Sequence, residues 1–194
     1  TGQLNTASGN SALYSNTDGD DNTAAGNSAL YSNTHGDDNA AVGNHALYDN
    51  TTGSENAAMG SYALSSNITG SFNNAVGGNA LLNNRTGSNN SAQGVAALYN
   101  NTTGTNNVAV GTFSLLANTV GHRNLGIGLG SGASSATGSN NIFLGYQAGS
   151  TETGSNKLYI ASNGTTPILY GEMSATDSDN KLGIGTNTVA AGSA

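Results

Sequence analysis

Tyr14, Tyr31, Tyr48 and Tyr99 each directly follow a leucine and precede an asparagine by two residues, as in Tyr14-Ser15-Asn16 and Tyr31-Ser32-Asn33. Such rings can stack on the apolar face of a sugar while Asn16 and Asn33 take its hydroxyls. The same rings could instead pack between subunits. A second candidate chemistry is acidic: Asp18, Asp20 and Asp21 are followed at a fixed step by Asp37 and Asp38, then Glu55. Stacked at strand spacing, these form a column of like charge that needs solvation or a bridge. Calcium is the natural bridge, because it takes several carboxylate and carbonyl oxygens. Asp20, Asp21, Asp37 and Asp38 are therefore the candidate metal ligands, with a solvated acidic face as the alternative.

Catalytic chemistry finds no comparable support. His35 and His45 could approach across one coil and meet Asp37 or Asp38 in a metal site, but solvated, variable repeat positions explain them, and His122, better. No serine has a base with an orienting acid in the pattern, and cysteine is absent. The paired carboxylates lie in polar turns, without the apolar surroundings that would raise one pKa for acid catalysis. We expect no catalytic residues and no enzyme.

The elements that must position these residues follow from a 17-residue step. Glycines recur at Gly9, Gly26, Gly43, Gly60, Gly77, Gly94, Gly111, Gly128 and Gly145, with asparagines four residues before them from Asn22 to Asn141, including Asn107. A second asparagine column runs from Asn16 to Asn118, a leucine column from Leu13 to Leu115 that includes Leu98, and an alanine column from Ala24 to Ala109. Gly19, Gly36, Gly53, Gly70, Gly87, Gly104 and Gly121 form a second glycine column. Helical repeats usually need about 30 residues and do not place two glycines in each unit. Two short strands and two turns fill the step instead, giving one coil of a narrow parallel β-solenoid or β-roll.

Nine coils at the usual strand spacing make a rod roughly 40 Å long. Identical residues fall above one another, and asparagine ladders suit such stacks because each amide can both donate and accept. The second glycine column, in Asn-Thr-x-Gly turns, is expected to need a positive φ. The first is expected to mark a corner or a close backbone approach. One coil cannot be stable alone, so stacking and chain association must offset its backbone entropy. The small alanines, Ala109 among them, are expected to let neighbouring chains approach closely in a parallel homotrimer; a monomeric or dimeric solenoid is the alternative.

Composition narrows the partners. The net charge is −7, with Arg85, Arg123, Lys157 and Lys181 as the only basic side chains besides histidine. No basic stripe exists to displace counterions from nucleic acid. No apolar run is long enough for a membrane span, and the chain is expected to be an excised piece of a longer exported protein. Absent cysteines fit a bacterial cell-surface, periplasmic or phage-like fibre.

Residues 1–155 read as the repeat unit and 156–194 as a small antiparallel β-meander that caps the rod and begins a stalk. Asn163-Gly164-Thr165-Thr166-Pro167 is the expected hairpin connection within it. Apolar residues enrich toward the end of the repeats, at Leu125, Ile127, Leu129, Ile142, Phe143 and Leu144, where they could seal an open solenoid end.

Asn107-Val108-Ala109-Val110-Gly111 and Asn73-Asn74-Ala75-Val76-Gly77 resemble the short motif of trimeric autotransporter adhesin heads, which look like left-handed parallel β-rolls with three chains side by side. The unit from Ala97 to Gly104 is similar to repeats of bacterial surface and phage tail-fibre-like proteins. Lys157 to Met173 is similar to the link upstream of an endosialidase-type intramolecular chaperone. The 17-residue step departs from the shorter adhesin coil. The resemblance implies a homotrimeric fibre and does not specify what the fibre touches; we expect a head that recognises a surface glycan or envelope polymer of another cell, with a purely structural spacer as the other reading. An ice-binding threonine ladder begins at Thr17, Thr34 and Thr51, but Ile68 and Arg85 interrupt it.

Overall fold

Three-residue strands recur once per coil: β1 (Thr6–Ser8), β2 (Thr23–Ala25), β3 (Ala40–Val42), β4 (Ala57–Met59), β5 (Asn74–Val76), β6 (Ser91–Gln93), β7 (Val108–Val110), β8 (Leu125–Ile127) and β9 (Ile142–Leu144). The structure is a computed structural model that describes residues 2–162, 166–173 and 180–185. Each strand pairs in parallel with the next, as in Ala24↔Ala41 and Ala41↔Ala58, so the chain is a parallel β-solenoid of about nine turns. The sheet continues through β10 (Lys157–Ile160), parallel to β9 with Leu158 opposite Ile142. Antiparallel pairs then join β10 to β11 (Leu169–Glu172) and β11 to β12 (Lys181–Ile184). Residues 163–165, 174–179 and 186–194 lie outside the described residues, and with them most of the expected hairpin connection and the start of a stalk.

The coil holds one strand rather than two. Its other walls bend because alternate residues adopt left-handed backbone: in the second coil Ser28 has φ 52°, Leu30 φ 53° and Asp38 φ 55°. Extended strand cannot persist through such positions. The walls are nevertheless hydrogen-bonded coil to coil: Leu30 N–H donates to the Ala46 carbonyl at 2.9 Å, and Ser32 N–H to Tyr48 at 3.0 Å.

The first glycine column makes the close backbone approach expected of it, and it also holds the positive φ expected of the second. Positive φ belongs to the first column, with Gly94 at 135°, where a Cβ would also stand 2.6 Å from the Gly111 carbonyl carbon. The second column has no positive φ. A Cβ on Gly36 would meet the Gly53 carbonyl oxygen of the next coil, the Asn33 side-chain oxygen at 2.5 Å and the Asn50 amide nitrogen at 3.0 Å, so this column makes room for both the neighbouring backbone and the ladder.

The interior is a single filled stack. Ala24, Ala29 and Leu30, with their counterparts in later coils, are fully buried, and Asn22 and Asn33 lie beside them at 0% exposure. The alanine column from Ala24 to Ala109 therefore faces the interior of one chain and is itself withdrawn from neighbours. Alanine and leucine side chains from opposite walls close the interior.

Both asparagine columns are ladders. Asn50 donates its amide to Asn33 Oδ1 and to the Gly53 carbonyl, each at 2.9 Å. Asn39 donates its side chain to the same Gly53 carbonyl, also at 2.9 Å, and its backbone N–H to Asn22 Oδ1 at 3.0 Å. No buried side-chain polar atom lacks a partner among the described residues. That completeness matters because an unpaired buried amide costs about 1–3 kcal/mol.

Candidate functional site

Beside the buried asparagines, the residues immediately before and after them point outward and form two parallel rows. Ser32, Asp49, Ser66, Asn83 and Asn100 supply one row; Thr51, Ile68, Arg85, Thr102 and Thr119 supply the other. Between the rows lie two shallow depressions of about 460 Å³ and about 320 Å³, which share Ser66 and Arg85. They form one groove along the stacking direction. Its walls are hydroxyls and amides with one cation, one anion and the apolar Ile68 and Ala117.

Several hydroxyls of the second row already serve the backbone. Thr51 Oγ1 donates to the Ile68 carbonyl at 3.0 Å and Thr102 Oγ1 to the Thr119 carbonyl at 2.9 Å. Their oxygens remain able to accept from a ligand. The Arg85 guanidinium makes no hydrogen bond or ion pair among the described residues. Desolvation raises the Asp49 carboxyl above its ordinary range, and the Arg85 charge acts in the opposite sense. Each breaks the composition of its row, and both fall in the same groove. The interruption of the threonine column at Ile68 and Arg85 is the trace of this site in the sequence; nothing there indicated a concave surface.

The tyrosine column is real as a stack, and its geometry limits what it can bind. Tyr14 and Tyr31 stack at 5.1 Å with planes 4° apart, and Tyr31 and Tyr48 at 5.1 Å and 13°. His45 extends the aromatic row, 5.0 Å from Tyr48 and stacked on Tyr62 at 5.1 Å. Faces turned toward one another are closed to a sugar, so the inner rings present edges. Tyr14 is the most open, at 71% exposure. Tyr99 is half-buried beside Asn100, four coils from Tyr31. Asn33 is fully buried in its ladder and withdrawn from solvent; Asn16, half-buried, donates to the Gly19 carbonyl at 2.9 Å.

The acidic turns have a backbone role. Asp20 N–H donates to Asp37 Oδ1 at 2.8 Å, and Gln3 N–H to Asp20 Oδ1 at 2.6 Å. In later coils serine oxygens do the same, Asp37 N–H donating to Ser54 Oγ and Ser54 N–H to Ser71 Oγ, each at 3.0 Å. Asp21 and Asp38 occupy left-handed positions that asparagine fills at Asn89 and Asn106. His35 lies 3.7 Å from Asp18, a pair that is ionic only when the ring is protonated, while His45 is held in the aromatic row. Among the described residues no group of three or more His, Cys, Asp or Glu converges to hold a metal ion.

A further cluster, not anticipated, ties β10 to β11. Lys157 Nζ donates to Glu172 Oε1 at 2.8 Å, Tyr170 donates to the same oxygen at 2.8 Å, and Tyr159 donates to Glu152 Oε2 at 2.8 Å. Burial pulls the Glu152 carboxyl upward, but bonds from Gly154, Tyr159 and Thr153 outweigh it and leave it below its ordinary value. Glu172 is lowered chiefly by Lys157, and the Lys157 ammonium is raised chiefly by Glu172. Burial raises both tyrosines, each further raised by its carboxylate partner.

By fold the molecule is a β-solenoid repeat protein with a polar surface groove. No protein-family model, curated protein or solved structure matches the chain. No helix among the described residues is long and apolar enough to cross a membrane.

Proposed function

We propose that the chain is a segment of an extracellular, adhesin-like or tail-fibre-like trimeric fibre, and that its groove recognises a surface glycan. The observation that supports this most is the coincidence of Arg85, Asp49 and Ile68, departures from the repeat, in one hydroxyl- and amide-lined depression. Ladder residues are explained by stacking; these three are not. The groove carries several neutral polar groups in a row, which suits a linear polymer of hydroxyl-bearing units.

Association rests on a different surface from the alanines. The outward side of the strands exposes Val42, Met59, Val76, Val108 and Ile127 at 38–57%. An apolar stripe of this kind favours burial against further copies of the same chain. Sedimentation velocity tests it: the wild type should sediment as a trimer and Met59→Asp with Val76→Asp as a smaller species, whereas a monomeric wild type would refute it.

The ligand reading is tested by whole-cell binding and a glycan array with the isolated trimer. Binding that is lost when Asn83 and Asn100 are both changed to alanine supports recognition. The complete asparagine ladders favour the spacer reading instead, which wins if the array and the cells stay blank while the rod remains trimeric.

A further inference from the structure

We infer that the groove selects a largely neutral linear polysaccharide carrying an isolated acidic sugar, whose carboxylate or sulfate pairs with Arg85. This rests on the glycan reading above and specifies its ligand. Arg85 is the only cation among the groove residues, is exposed, and makes no side-chain hydrogen bond or ion pair among the described residues, although Asp49 feels its charge. A guanidinium is suited to fork-like pairing with a carboxylate or sulfate. Asn83, Asn100 and Ser66 flank it with neutral donors and acceptors for hydroxyls.

The groove also discriminates against a polyanion. Asp49 lies two coils before Arg85, about 10 Å along the stack at ordinary strand spacing. An acidic unit bound over that coil would face the Asp49 carboxylate within roughly one Debye length. The remaining groove residues toward Thr119 are uncharged, and the whole chain carries −7. One anionic group therefore finds a partner while a second, third or fourth meets none. An extended β-1,4-linked pyranose chain advances by nearly the spacing of the coils, so successive sugars can meet successive coils in register.

Isothermal titration calorimetry with three kinds of hexaose tests the inference: neutral β-1,4-xylohexaose, the same chain bearing one glucuronic acid or one sulfate, and β-1,4-linked hexaglucuronate. The wild type should bind either singly charged probe at least tenfold more tightly than the neutral one, and hexaglucuronate more weakly than the singly charged probes. Arg85→Gln should abolish the preference for the singly charged probes, and Asp49→Asn should improve hexaglucuronate selectively. Equal binding of neutral and singly charged probes, or an unchanged preference in Arg85→Gln, overturns the acidic-sugar inference and leaves glycan recognition standing. No binding of any probe by the wild type removes the glycan reading itself. Thermal melts of both variants, expected to match the wild type, separate lost pairing from lost fold.

Discussion

Phe143 occupies the space that a Cβ on Gly132 would need: that atom would stand 2.7 Å from the ring's Cε2 and 2.8 Å from Leu115 Cδ2. Gly132 and Gly149 stand in the leucine column, and Phe143 in the alanine column of the opposite wall. One large side chain projecting from the strand thus replaces two leucines projecting toward it. The apolar enrichment near the end of the repeats preserves core volume through this exchange.

Phe143→Ala should therefore cost about 3–5 kcal/mol, because neither glycine can fill the cavity. Gly132→Leu alone should also destabilise by overpacking, by about 1–3 kcal/mol. The two changes together should recover part of the loss, as measured by urea denaturation. Strict additivity would show that the residues do not share one space.

Gly94→Val should destabilise by about 3 kcal/mol, combining strain at a positive φ with overlap against the Gly111 carbonyl. Asn100→Ala, at a half-buried position, should stay within about 0.5 kcal/mol. Equal small effects in thermal melts would show that the coil can relax around a side chain at this corner.

Asn67→Ala should cost about 2–4 kcal/mol, since it strands the Asn50 oxygen that Asn67 bonds at 2.7 Å and an amide hydrogen of Asn84 that bonds Asn67 at 2.8 Å. The same change at Asn16, half-buried at the end of its ladder, should cost about 1 kcal/mol or less. Chemical denaturation that gave both the same cost would remove the ladder's cooperative burial as the reason.

Asp37→Ser should leave stability within about 0.5 kcal/mol, because serine accepts the equivalent backbone bond at Ser54, Ser71 and Ser88. Melting with and without calcium checks this. A calcium-dependent loss confined to the variant would assign a bridging role to the acidic turns.

The β10–β11 junction should lose stability at both pH extremes. Glu152 and Glu172 have folded pKa values below the ordinary 4.5, so their contribution is present above that pH and disappears as pH falls through the folded values. Lys157, Tyr159 and Tyr170 are raised, so theirs is complete below about pH 10 and is lost as pH rises from there toward the folded values. Amide hydrogen exchange at Tyr159 and Leu169 should accelerate in both ranges, and Glu172→Gln should flatten the acid limb.

The repeat itself was legible because a fixed step forces like residues above one another. Asn33 and Asn50 could be assigned to a ladder from their types and spacing alone, and Leu98 to a recurring apolar position. Periodicity does not say which wall of a coil faces inward when strands are three residues long and left-handed residues intervene. Ala109 was therefore legible as small and repeated, but its burial against the leucines depended on how the opposite wall closed. The close backbone approach at Gly94 was legible, but the positive φ expected at Gly36 falls at Gly94 instead, because local torsions are not encoded by the repeat step.

Sequence alone determined the solenoid step, the acidic charge and the ladders, because these depend on residue type and translation along one axis. Tertiary structure decided that the alanines are core, that the tyrosines cover one another's faces, and that Arg85 and Asp49 share a groove. Those properties depend on the direction of side chains around the coil, which is fixed by backbone torsions and by contacts between walls that repetition along the chain does not encode.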